Sequence, residues 1–80
     1  MIAKIDISLK DGVLDPEAKA IHNALLSLNF DYVKSVKNVR TIIVEIDSND
    51  EEIARNKAIE MSETLLVNTT IEKYSIEILS

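Results

Sequence analysis

The chain contains no cysteine, no tryptophan, one glycine, one proline, one histidine and three aromatic residues. Without cysteine there is neither a disulfide nor a thiolate metal site, which removes the usual staples of small folds. A chain of this size buries only about 60–65% of its extended surface. Its stability must therefore come from aliphatic packing, from assembly with other subunits, or from both. Basic residues are also few: nine against fourteen acids leave a net charge of −5. The Lys/Arg patch that draws a protein to phosphate backbones is missing, which argues against nucleic acid and against an anionic membrane surface. No apolar run approaches the ~20 residues that span a bilayer, and MIAKIDI is too short and too charged for a secretory signal, so a cytoplasmic location is expected. There is no Ser/His/Asp set, glycine-rich phosphate loop or CxxC pair. Little remains from which a stand-alone enzyme could be built.

What is present is an apolar content of 46%, mostly Ile, Leu, Val and Ala, enough for a packed core. Residues Ile2–Leu9 alternate, with Ala3, Ile5, Ile7 and Leu9 on one face and Lys4, Asp6 and Ser8 on the other, which predicts a strand buried on one side. Lys10-Asp11-Gly12 carries turn chemistry, because glycine accepts positive φ. Asp15-Pro16 reads as the N-cap and first residue of a helix of about 13 residues, whose apolar face is Ile21, Ala24, Leu25 and Leu28. Leu26 lies roughly 140° from that face.

Tyr32–Ile46 is β-rich but changes phase near Lys37–Arg40, where Asn38 fits a turn or bulge. Two short strands or one interrupted strand are both compatible with it, and Ile42, Val44 and Ile46 alternate cleanly. Ser48-Asn49-Asp50-Glu51 matches a capping box. The helix after it has Ala54, Ala58, Met61 and Leu65 on one face, with Ile59 and Leu66 as a second stripe. Asn68 is the expected terminator, in the left-handed conformation. Ile71–Leu79 closes as a strand with Tyr74, Ile76 and Ile78 inward. The order β-α-β(β)-α-β predicts one α+β domain over residues 1–80, a ferredoxin-like sandwich with two helices on one face of an antiparallel sheet.

Several features invite a chemical reading. His22 is a lone histidine on a helix flank, without the partner a catalytic base needs. Asp47–Glu52 is acidic, but counting from Asp47 the sixth and twelfth positions of a calcium loop hold Glu52 and Ala58 instead of Gly and Glu. Those acids suit a helix N-terminus instead. Asn68-Thr69-Thr70 matches a glycosylation acceptor without a secretory signal. Lys34, Lys37 and Arg40 form a small basic cluster, either a partner contact or a solvated strand edge. No catalytic, cofactor or metal residue is assigned.

Two blocks carry a family resemblance. Leu9-Lys10, Val13-Leu14-Asp15-Pro16, then Ala20, Ala24-Leu25 and Leu28 form the first. Leu65-Leu66-x-Asn68-Thr69-x-Ile71-Glu72-x-Tyr74 forms the second. Together they resemble the PurS family, the small subunit of phosphoribosylformylglycinamidine (FGAM) synthase. The family usually has glycine two residues after the proline, where Ala18 stands here. It also tends to V-R-x-G-K, where this chain has Val36-Lys37-Asn38-Val39-Arg40.

The resemblance implies a non-catalytic adaptor of purine biosynthesis that works as a homodimer or tetramer. It would join a large PurL-like synthetase subunit to a PurQ-like glutaminase for ammonia transfer, in a complex that uses ATP and Mg while this chain holds no cofactor. Lys10, Val13, Leu14, Asp15 and Pro16, then Lys37 and Arg40, are the expected docking residues. Leu26, Ile43, Ile59 and Leu66, which lie off the assigned core faces, are the expected contacts between copies. A ferredoxin-like ligand-binding regulatory module is the reading from another class.

Overall fold

The computed structural model describes all 80 residues. Strand β1 is Ile2–Leu9, helix α1 Pro16–Ser27, strand β2 Arg40–Glu45, helix α2 Glu51–Met61 and strand β3 Glu72–Leu79. The sheet has the order β2-β1-β3, antiparallel throughout, with Ile5 opposite both Ile42 and Ile76. This is the expected β-α-β-α-β class. Between Tyr32 and Val39 no strand forms, so the phase change in that stretch marks the end of an irregular run and not a break between two strands. The run is held elsewhere: His22 donates from Nε2 to the Val33 carbonyl at 3.1 Å, and Val36 is half-buried.

Alternation in β1 sends Ala3, Ile5 and Ile7 into the core, where they meet Ala58 and Val67. Ala54 and Ala58 are fully buried, and their small side chains let α2 lie close on the sheet. Arg55 donates to the Ile76 carbonyl at 3.1 Å and ties the helix to β3. The cap of α2 is Asp50, not Ser48. The Asp50 carboxylate accepts from Glu52 and Ile53, while the Ser48 hydroxyl accepts from the Asp50 N–H and so shapes the approach. Both residues can cap, and the one whose backbone is extended next to the first turn takes the role.

Beyond Met61 the helix widens into a π-turn, Ser62–Leu66, closed by Val67 N–H to the Ser62 carbonyl at 3.0 Å. The extra residue per turn carries the buried line from Ala54 and Ala58 through Ser62 to Val67. It also exchanges two neighbours. Leu66, expected to point away, packs on the core, and Leu65, expected on the core face, is 81% exposed. Buried Ser62 satisfies its own hydroxyl by donating to the Ala58 carbonyl at 2.8 Å. Asn68 does not go left-handed. Its side chain accepts from Thr70 N–H, and its carbonyl accepts from Ile71 and Glu72, turning the chain into β3.

The left-handed helix stop lies at Asn29, with φ 71°, at the end of α1. Phe30 N–H bonds the Leu25 carbonyl and Asn29 N–H the Leu26 carbonyl, the pair of bonds of a Schellman ending. Helix α1 itself hardly touches the other elements, whereas α2 packs on β1 and β3. Its expected core face is largely open, with Leu25 half-buried and Ile21, Ala24 and Leu28 exposed. The protein is correspondingly long, 49 × 26 × 14 Å.

Candidate functional site

The two sequence blocks, 59 residues apart at their point of contact, meet at one end of the sheet. At the close of β1, Lys10 N–H bonds the Ile71 carbonyl at 2.8 Å, and its ammonium donates to the Thr69 carbonyl at 2.7 Å. Lys10 is thus a tie between the blocks as well as a surface cation. Next to it, Val13 N–H closes a turn onto the Lys10 carbonyl at 3.2 Å. Gly12 stands in that turn at φ 86°, the positive value that the third position of a type II turn requires. A side chain there would have room but not the backbone angle.

The turn delivers Asp15, whose carboxylate accepts from Ala18 N–H at 3.1 Å and caps α1, with Pro16 as the first helical residue. A cap of this kind contributes about 1 kcal/mol. Ala18, at the usual glycine position, is buried without disturbing this bond. Between the turn and the capped helix, Val13 and Leu14 are pushed outward, and Leu14 is 69% exposed. They form a short apolar knob on a framework fixed from both sides.

The irregular run packs beside this knob. Lys10, Val13, Asp15 and Lys37 border one cleft of about 290 Å³ together with Asn38. Leu14, His22 and Lys34 border its neighbour. The expected docking residues Lys10, Val13, Leu14, Asp15 and Lys37 are therefore brought together, with Pro16 directly behind them. Arg40 is placed differently. It opens β2, donates to the Leu66 carbonyl at 3.0 Å and pairs with Glu72 at 3.3 Å. Glu72 also accepts from Asn68 N–H at 2.8 Å, so Arg40 braces the turn after the π-segment. Among the expected contacts between copies, Ile43 is 58% exposed on the open face of the sheet, and Leu26 and Ile59 are each partly open on their helices. Leu66 is taken up by the core.

Tyr74, the last residue of the second block, carries a shifted proton. Partial burial of Tyr74, together with the adjacent Glu63 carboxylate that its hydroxyl faces, raises the phenol above its ordinary value of 10.0. Just above pH 10 the unfolded chain has lost this proton while the folded chain keeps it, so stability falls as pH rises through the folded value. Melting curves between neutral pH and the alkaline limit should decline less steeply for Tyr74→Phe than for the wild type. Equal slopes would remove Tyr74 as the source.

The surface as a whole is a rigid edge with an apolar knob and flanking cations. It suits recognition of another protein. The model of the PurS family, described as phosphoribosylformylglycinamidine (FGAM) synthase, matches residues 2–80. The chain is similar to the phosphoribosylformylglycinamidine synthase subunit PurS of Archaeoglobus fulgidus, 45% identical over 76 residues that make up 95% of each chain. Its fold is similar to the crystal structure of Methanocaldococcus jannaschii PurS, one of the subunits of formylglycinamide ribonucleotide amidotransferase in the purine biosynthetic pathway. That likeness has a TM-score of 0.86 at 37% identity and covers 95% of this chain and 92% of the other. A chain in the structure of PurLQS from Thermotoga maritima is similar with a TM-score of 0.83 at 26% identity, covering 99% of both.

Proposed function

This chain belongs to the PurS family, and from that premise we propose that it is the small, non-catalytic subunit of FGAM synthase in purine biosynthesis. Its work is to join a PurL-like synthetase subunit to a PurQ-like glutaminase, so that ammonia released from glutamine reaches the amidine-forming site. It acts as a homo-oligomer in the cytoplasm, with residues 1–80 as one PurS-like domain. No helix in it is long and apolar enough to cross a membrane.

The observation that carries this reading is the convergence of both family blocks on one braced end of the sheet, through the Lys10–Thr69 and Lys10–Ile71 bonds. A connector has to hold its contact residues in fixed relation to each other, and this end does so with one main-chain tie and one from the Lys10 side chain. The PurLQS assembly supports the choice of partners. The reading as a ligand-binding regulatory module is not favoured, because the family match runs along nearly the whole chain.

The test is FGAM formation by the synthetase and glutaminase subunits with and without this protein, once with glutamine and once with free ammonium. A requirement with glutamine that vanishes with ammonium is the expected outcome. Glutamine-dependent synthesis that proceeds equally well without the protein would overturn the proposal.

A further inference from the structure

The chain carries nine Lys and Arg residues, and the structure sorts them by partner. Arg40 pairs with Glu72, Arg55 with Glu51, Lys57 with Glu60 and Lys73 with Asp11. Lys4 stands unpaired in the middle of β1. The other four, Lys10, Lys19, Lys34 and Lys37, are also without a carboxylate partner, and all four line the two clefts beside the knob. The Lys10 ammonium has the Thr69 carbonyl, a neutral acceptor that leaves its charge uncompensated. Fourteen acids are present in the chain, so these unpaired lysines do not reflect a shortage of carboxylates.

The two clefts, of about 290 and 320 Å³, share Val13, Ala18 and Val36 and form one groove. Lys10 and Lys19 stand on the wall made by the β1–α1 turn and the helix, Lys34 and Lys37 on the wall made by the irregular run. Two acids border the groove, and both are engaged: Asp15 caps α1, and Asp11 faces Lys73 at 3.7 Å. A compact phosphate would seek the main-chain N–H groups of the helix N-terminus, but the Asp15 carboxylate already holds that place. Lysines spread along two walls with an apolar lining between them suit carboxylates spaced along a chain instead.

We propose that this groove receives an acidic segment of the synthetase subunit, its carboxylates meeting lysines from both walls. Such a contact rests on the adaptor reading above and specifies its chemistry. Leu14 borders the same groove, so the subunit that covers the apolar knob covers the lysines as well. The chain as a whole is acidic, with a net charge of −5, and an acidic segment is repelled elsewhere on it. Charge thus sets where the partner lands and in which orientation, more than how tightly it holds.

Lys34 and Lys37 are exposed, and from Lys34 to Val39 no hydrogen bond joins the run to the rest of the chain, so changing either lysine leaves the fold intact. The purified synthetase and glutaminase subunits are each titrated with wild type, Lys34→Glu, Lys37→Glu and Lys4→Glu. Salt is raised from about 0.1 M to about 1 M, which shortens the screening length from ~10 to ~3 Å. For the synthetase, each groove variant should bind roughly tenfold more weakly at the lower salt, and the wild type should lose affinity as salt rises. Lys34→Gln and Lys37→Gln, which only remove charge, should show a smaller loss in the same direction. Lys4→Glu makes the same change of charge roughly 20 Å back along β1 from Lys10, and should stay within about twofold of the wild type. Groove variants that lose no more than Lys4→Glu would overturn the proposal, as would a loss confined to the glutaminase. A wild type that binds neither subunit would overturn the adaptor reading itself.

Discussion

Leu14→Asp should abolish most glutamine-dependent FGAM formation while leaving ammonium-dependent synthesis and the stability of the chain nearly unchanged. Leu14 is the outermost residue of the knob, and its side chain makes little use of its own fold. Exposed substitutions of this kind alter stability by no more than about 0.5 kcal/mol. At an interface the same side chain would be desolvated, and a carboxylate in its place would have to lose its water without gaining a partner. A loss of about 2 kcal/mol or more, typical of an anchoring contact, corresponds to roughly 30-fold in affinity. Titration of the synthetase subunit with wild-type and variant protein measures this directly. Unchanged affinity would show that the knob is not the docking element, and attention would pass to Lys37 and the cleft it borders. Keeping the ammonium reaction as a control separates a failure of connection from a damaged synthetase.

The second large effect is on folding. Ile5→Ala should cost about 3 kcal/mol or more, since Ile5 is fully buried at the centre of β1 with Ile42 and Ile76 on its two neighbours. A domain of this size has a total stability of only about 4–12 kcal/mol, so the variant should lose a large part of its folded range in urea. Ile43→Ala, in the next strand but 58% exposed on the open face, should cost a small fraction of that. The comparison isolates burial from strand propensity, because the same residue type is removed from the same sheet. A cost below about 1 kcal/mol at Ile5 would mean that the sheet is held mainly by contacts between copies and not by its own core.

Some elements are written in neighbouring residues and could be read directly. The alternation of Ile2–Leu9, the Gly12 turn and the Asp15-Pro16 helix start depend on φ preferences and on hydrogen bonds within a few positions, and all stand where expected. The turn between β1 and α1 was equally local, closed by the Val13 N–H onto the Lys10 carbonyl. Other features needed the rest of the molecule. Ser48 and Asp50 are both good caps, and only the path of the chain out of β2 chose between them. Asn29 and Asn68 both tolerate the left-handed conformation. The first takes it because a Schellman ending must be closed there, while the second uses its side chain in a turn that Glu72 and Lys10 hold in place.

The π-turn is the clearest case. Helical counting placed Leu65 inward, but α2 is fixed on the sheet through Ala54 and Ala58, and keeping Ser62 and Val67 on that line takes one more residue per turn. Leu66 then falls on the core and Leu65 outside. Likewise, the apolar stripe of α1 announced that a face would be buried without saying by what. By itself, the sequence determined the order β-α-β-α-β, the family and the turn that joins β1 to α1, because those are set by local preferences and short motifs, while the strand expected over Tyr32–Val39 did not form. The tertiary structure alone decided that the two motif blocks share one surface, that the buried face of α2 shifts at Ser62, and that α1 stands clear of its own sheet. Each of these depends on which distant surfaces can reach one another, and periodicity carries no information about that.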